Sequence, residues 1–265
     1  MTAAQAAGAP LVELVDAAVT YRRRGTTFTA LHGVNLTIAP GERVGIVGGS
    51  GSGKTTMARL MLGLVRPAAG DVRFQGRSIV GLPERSRGWL RASASMVFQD
   101  PNSSLNPRLT LRGIVGEPLR SPVLRRSADL PTDPDEAAAA ALSSVGLGAE
   151  LLGSFPHQLS GGQRQRAAIA RALVADPLFL VADEPVSALD VSVRAQVLNL
   201  LNAEVRERSL ALALISHDLS VVRHMCERVV VVQAGRVVET GTVEEVLDSP
   251  RHDYTKALVD ATLTL

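Results

Sequence analysis

The run Gly48-Gly49-Ser50-Gly51-Ser52-Gly53-Lys54-Thr55, continued by Thr56, fits the pattern G-x-x-x-x-G-K-[ST]. Glycines let a backbone curl until successive N–H groups point at phosphate oxygens, and a helix N-terminus behind the loop adds its dipole. Lys54 offers a compact point charge to β- and γ-phosphates, where a planar guanidinium would not fit in the same way. Thr55 offers a hydroxyl to Mg²⁺. A flexible Gly/Ser turn would explain the composition, but not a β-branched strand before it and a helical pattern after it.

Two further constellations carry chemistry. The apolar run 178–182 ends in Asp183-Glu184, which lie 183 − 54 = 129 residues beyond Lys54. At the carboxyl edge of a parallel sheet these groups face whatever the loops there hold. Asp183 suits a magnesium shell, and Glu184 is placed to polarise an attacking water. Alone, such a pair reads as a solvated turn; beside a phosphate loop it reads as catalytic. The string Leu159-Ser160-Gly161-Gly162-Gln163 precedes a helical pattern over 164–174 and offers a second helix N-terminus with a hydroxyl. A helix cap explains Ser160 and Gly161 but not the whole string. Two phosphate surfaces in one chain serve two ligands, or one ligand shared between two copies of the domain.

These groups need a scaffold. Residues 11–21 and 28–38 read as two strands joined by a charged turn that contains Arg22-Arg23-Arg24, and Pro40-Gly41 reads as a turn. Residues 43–47 are short, β-branched and apolar, as a buried parallel strand should be, and a helix is expected from Lys54 to about Leu64. Residues 71–98 carry strand-like pieces. From Asp100 to about Pro156 prolines punctuate the chain, and an alanine-rich helix over 135–145 follows the acidic cap Thr132-Asp133. That texture predicts a mostly helical insertion with a mobile middle at 120–134. Alternation then returns: strand 178–183, helix 192–208, strand 210–216, helix 218–226, strand 228–235. Such a pattern implies a parallel sheet flanked by helices.

Composition narrows the class. A chain of 265 residues forms one large domain or two small ones and buries enough core to need no covalent staple. Its single cysteine, Cys226, excludes an intramolecular disulfide and an iron–sulfur cluster, and reads as a small buried helix residue. A net charge of +2 demands no polyanionic partner. Of the 28 basic residues only Lys54 and Lys256 are lysines, against an arginine-rich background. The first ten residues, small and irregular, are expected to fray and do not read as a signal peptide. The apolar runs 210–215 and 229–232 are too short to span a bilayer, so a soluble chain is expected, with any membrane part supplied by another polypeptide.

LSGGQRQR, the phosphate loop and VADEP together resemble the ATP-binding subunits of ABC transporters, whose signature is LSGGQ. The resemblance covers about residues 11–258, and further motifs fall in order: Gln99 in VFQDP, Ser187-Ala188-Leu189-Asp190, and His217 in ISHD. Tyr21 stands where the family stacks an aromatic on adenine. FQDPNSSLNPRLT, DEPVSALDVSVRAQVLNLL, SHDLSVV and SPRHDYTKAL are similar to importers of oligopeptides, dipeptides and nickel.

The resemblance implies an α/β fold. A P-loop NTPase (RecA-like) core carries an N-terminal antiparallel β subdomain and an inserted α-helical signature subdomain. The single ATP-binding domain spans 11–258, with a nucleotide core at 11–99 and 166–250, a helical subdomain at 100–165, and a short tail at 251–265. Two subunits are implied to sandwich two ATP molecules head to tail. Each ATP lies between residues 48–56 of one subunit and Ser160–Gln163 of the other. Glu184 is then the general base and His217 contacts the γ-phosphate. Gln99 touches Mg²⁺ and links the site to the helices that grip the membrane subunit, Asp183 holds Mg²⁺ through water, and Asp190 sits in the loop facing the partner. The implied partners are a second ATPase subunit, a paralogue or another copy with the paralogue favoured. Two membrane permeases and an extracytoplasmic solute-binding protein complete the system, at the cytoplasmic face of a bacterial membrane.

Two departures stand out. Position 49 is glycine where relatives often carry glutamate or another long residue, which predicts a looser loop. Relatives often continue past the histidine–tyrosine tail with several cysteines, whereas Cys226 stands alone here, which argues against a cluster-bearing tail. Three readings compete with a peptide importer: a nickel or other small-solute importer, a nucleic-acid or ribosome ATPase, and a non-hydrolysing partner subunit. Nucleic-acid relatives carry long coiled coils or zinc modules, and this chain has neither sustained heptads nor cysteine pairs. Glu184, His217 and the intact signature oppose a degenerate subunit.

Overall fold

The computed structural model describes residues 9–23, 25–126 and 130–263. Most of the segment expected to fray, Arg24 of the charged turn, and residues 127–129 of the expected mobile stretch therefore lie outside the described residues. The chain forms two compact units, one holding the residues up to Leu82 and from Ala211 onward, the other Pro83–Leu210.

The first unit begins with β1 (Val12–Arg23) and β2 (Thr26–Ile38), an antiparallel pair in which Tyr21 stands opposite Phe28. Next come β3 (Arg43–Val47), α1 (Lys54–Met61), β4 (Ala69–Phe74) and β5 (Arg77–Ser78). Strands β2, β1, β4 and β5 form one antiparallel sheet in that order. Helix α1 stops three residues before the expected Leu64, because the chain turns through Gly63 at φ 62°.

The second unit opens with α2 (Gly88–Ser93) and β6 (Ala94–Val97). The helical stretch holds α3 (Pro101–Ser104), α4 (Leu111–Arg120), α5 (Pro122–Arg125), α6 (Pro134–Ser144) and α7 (Gly161–Leu173). The alanine-rich helix is α6, and its cap is Asp133, whose carboxylate accepts the amides of Asp135 and Glu136. β7 (Phe179–Asp183), buried along its whole length, pairs in parallel with β6, and α8 (Val191–Glu207) follows.

The chain then returns to the first unit with β8 (Ala211–Ile215), α9 (Leu219–Met225) and β9 (Arg228–Gln233). β3 lies between β8 and β9 and runs parallel to both. These strands read as continuous apolar runs because both faces are covered. One covering element is α9, which comes so close that a Cβ on Gly45 would meet Val222 Cγ1 at 2.4 Å.

The expected all-parallel pattern breaks at the edge. β10 (Arg236–Thr242) runs antiparallel to β9 through the turn Ala234-Gly235, whose φ values of 45° and 75° suit a two-residue hairpin. Two helices follow, α10 (Val243–Asp248) and, within the short tail, α11 (Asp253–Leu263). Helix α10 starts in a capping box between Thr242 and Glu245.

Candidate active site

Residues 48–53 turn the carboxyl end of β3 into the N-terminus of α1, and the glycines are there for space as well as freedom. A Cβ on Gly48 would meet the Val232 carbonyl oxygen at 2.1 Å, and one on Gly53 would meet that of Ala30 at 2.8 Å. Their φ values of 150° and 112° strain any other residue. The loop is braced from β9–β10 as well, since the Gly235 amide donates to the Ser52 carbonyl at 2.8 Å.

Gly53 caps α1 with no side-chain acceptor, and the first turn carries no acid. The first turn of a helix leaves its leading amides, here including those of Thr55 and Thr56, without an intrahelical acceptor, and the positive end of the helix dipole faces the loop. Lys54 is 8% exposed, and its Nζ donates to the carbonyls of Gly48 and Gly49, both at 2.8 Å. The ammonium is thus held at the loop before any anion arrives. Amides, dipole and fixed cation together make an anion cradle.

In the same unit Tyr21 is 39% exposed and Phe28, directly opposite it, 61%. Cross-strand partners share a face, so the two rings form an exposed aromatic platform. Phe28 drew no notice in the sequence because only the strand register makes it Tyr21's neighbour. His217 is exposed just beyond the carboxyl end of β8, after Ser216, whose amide donates to Ile46 of β3 at 3.4 Å. The following residue, Asp218, caps α9 by accepting the amides of Ser220 and Val221.

In the second unit the β6–β7 register sets the carboxylates. Val97 pairs with Ala182, so Gln99 and Glu184, each two residues on, emerge side by side, and Gln99 Nε2 donates to Glu184 Oε2 at 3.1 Å. Asp183 is 7% exposed, whereas Glu184 is half-buried. Glu184 adopts φ 45°, a left-handed conformation that costs a non-glycine residue on the order of 1 kcal/mol or more. Its carbonyl accepts the amide and hydroxyl of Ser187 at 3.3 and 3.2 Å, which holds the turn.

The string Ser160–Gln163 has a local explanation richer than a simple cap. Ser160 Oγ accepts the Gln163 amide at 3.2 Å, and Gln163 Oε1 accepts the Ser160 amide at 2.9 Å, a reciprocal capping box. A Cβ on Gly162 would meet Val193 Cγ1 of α8 at 2.5 Å, so this glycine permits close packing of α7 on α8. Gly161 and Gly162, first in α7, still carry amides without an intrahelical acceptor. Asp190 is exposed at the N-cap of α8 and makes no side-chain cap there. Cys226 is buried, and burial pushes its thiol up to about 12, so it stays a protonated packing group at neutral pH.

One contact has no counterpart in the sequence reasoning. Tyr254 of α11 places its hydroxyl where it accepts the Gly49 amide at 2.6 Å. A Cβ at position 49 would lie 3.1 Å from that oxygen. The loop is therefore held at Gly49 and not looser, a correction that a separation of 205 residues hid from the sequence.

Comparison with known proteins gives a consistent picture. A family model described as ABC transporter matches residues 31–187. The chain is 46% identical over 237 residues to the oligopeptide transport ATP-binding protein OppF of Salmonella typhimurium, covering 89% of this chain and 70% of that protein. It is 43% identical over 252 residues to a putative peptide import ATP-binding protein of Brucella ovis, covering 95% and 78%. Among solved structures it is similar to a dimeric post-hydrolysis state of the ATP-binding cassette MJ0796 bound to ADP and Pi, with a TM-score of 0.77, 33% identity, and coverage of 88% and 98%.

Proposed function

Because the chain belongs to the ABC transporter family, we propose that it is the ATP-binding and ATP-hydrolysing subunit of a peptide importer. The observation that carries this reading is the anion cradle at 48–56, with Lys54 already fixed on the Gly48 and Gly49 carbonyls. The loop amides and Lys54 take the ATP phosphates, while Tyr21, with Phe28 beside it, takes the adenine. Thr55, Gln99 and, through water, Asp183 are hard oxygen donors of the kind Mg²⁺ prefers; the ion neutralises phosphate charge when bound.

Glu184 receives the proton of the attacking water, and its bond to Gln99 sets the carboxylate's direction. His217 contacts the γ-phosphate. Ser160–Gln163 and Asp190 face the nucleotide of a second ATPase subunit, so that pairing completes each site and switches it on. The dimer of the similar cassette, with its ADP and Pi, supports that arrangement. The core at 11–99 and 166–250 carries the chemistry, and the helices of 100–165 meet the membrane subunits.

The relatives named for oligopeptide transport and peptide import support peptide as cargo. The working system then adds two permeases and an extracytoplasmic peptide-binding protein, with this subunit peripheral at the cytoplasmic face. Among the described residues no helix is long and apolar enough to cross a membrane.

Glu184→Gln tests the central role. It should leave MgATP binding within about twofold and lower turnover in the assembled complex by roughly 10²–10⁴-fold, the contribution of a positioned base. Unchanged hydrolysis would sink the assignment.

A further inference from the structure

We infer that Tyr254, in the C-terminal helix α11, is a positioning residue for the phosphate loop, so that the docking of this helix sets the affinity for ATP. The inference rests on the proposed function and deepens it.

The geometry runs through one peptide unit on each side of Gly49. On its amide side the N–H donates to Tyr254 Oη at 2.6 Å. On its carbonyl side the oxygen accepts Lys54 Nζ at 2.8 Å and the Ser52 amide at 3.3 Å. Gly49 is therefore a relay: the hydroxyl of α11 fixes the residue whose carbonyl steers the ammonium. Glycine is the residue most in need of such a brace, because its backbone has the most conformational freedom to lose. Position 49 also fits the brace sterically, since any side chain would begin 3.1 Å from the tyrosine oxygen.

The helix that carries the hydroxyl is itself anchored. Glu239 of β10 accepts the amides of Arg251 and His252 at 2.8 and 3.1 Å, just before α11 begins. Thr255, the next residue after Tyr254, is fully buried, which seats the stretch of helix from which the tyrosine projects. The Tyr254 amide donates to His252 Nδ1 at 3.2 Å, which closes the turn from which the ring projects. The loop thus rests on two pieces of the C-terminal segment, the Gly235 turn and the Tyr254 hydroxyl. A preorganised loop spends less binding energy on ordering itself around phosphate.

The test uses the full chain as wild type, Tyr254→Phe, Gly49→Ala and the double variant. Without nucleotide, exchange of the Gly49 amide measured by NMR should speed about tenfold in Tyr254→Phe while the α11 amides keep their protection, as expected when one hydrogen bond is lost. By calorimetry Tyr254→Phe should bind MgATP about three- to tenfold more weakly, again the effect of one such bond. Gly49→Ala should weaken binding in the tyrosine background and add nothing in the phenylalanine background, since both changes act on one contact. Tyr254→Phe binding MgATP like wild type, or the two changes adding independently, overturns the positioning role. A wild type that binds no MgATP overturns the proposed function instead, and the Gly49 exchange rate then still decides whether Tyr254 holds the loop.

Discussion

Lys54 is the only lysine in the first 255 residues of a chain otherwise supplied with arginine. The structure gives the asymmetry a physical reason: its ammonium is buried and aimed at two loop carbonyls 2.8 Å away. A guanidinium is longer, planar and spreads its charge over a fork, so it cannot occupy that point and keep both contacts. Lys54→Arg should therefore lower ATP turnover by on the order of 10²-fold or more, as loss of a transition-state charge contact does. Steady-state phosphate release from the assembled complex measures it, and near-normal turnover would refute the argument. Glu184 shows a second residue-level economy. The register of two strands brings it beside Gln99, and its left-handed backbone holds the turn beyond β7.

Among the elements, α7 is the most constrained at its start. The capping box occupies Ser160 and Gln163, and the contact with α8 requires Gly162, so three of the five signature letters already have structural duties. Gly162→Ala would drive a methyl to within 2.5 Å of Val193, a stiff β-branched side chain, and force α7 off α8. The expected loss is about 1–3 kcal/mol, the usual cost of overpacking. Urea denaturation should show it, and adding Val193→Ala should restore most of it. A Gly162→Ala protein as stable as wild type would mean that the close approach does not govern the packing. Recognition of a partner's nucleotide at this loop is thus layered on a helix start that must exist anyway.

Acid stability belongs to the molecule as a whole. Several carboxylates are held below their ordinary values: Asp133 by the amides of Asp135 and Glu136, Glu84 by Arg91, Asp248 by Arg223, and Asp253 by Lys256. Burial alone would push Glu239 up, but the hydrogen bonds it accepts, including those from Arg251 and His252, more than offset this and hold it down too. A depressed folded value means that the stabilisation is fully present above the unfolded values, 3.8 for Asp and 4.5 for Glu, and is lost as pH falls through the lower folded ones. Stability should therefore be flat in these groups from pH 7 to about 5 and fall below about 4.5. α11 should loosen in that same range as Glu239 protonates. Denaturant titration across pH checks the first point and hydrogen exchange over 253–263 the second; a decline beginning near neutrality would contradict both.

The phosphate loop, the acidic pair at the end of β7, the signature string and the β/α alternation were all legible in the sequence. Each is a local matter: a few adjacent residues whose types and periodicity set a turn, a cap or a buried strand. The antiparallel return of β10, the pairing of Tyr21 with Phe28, the approach of Gln99 to Glu184 and the hydroxyl of Tyr254 on Gly49 were not. Those are meetings of residues from 3 to 205 positions apart, set by strand register and helix docking. Residue type and spacing thus name the reacting groups of this chain, because phosphate chemistry admits few alternatives to glycine, lysine and a carboxylate. What holds those groups in line comes from folding alone, because a hydrogen bond made across the fold leaves no periodic trace along the chain.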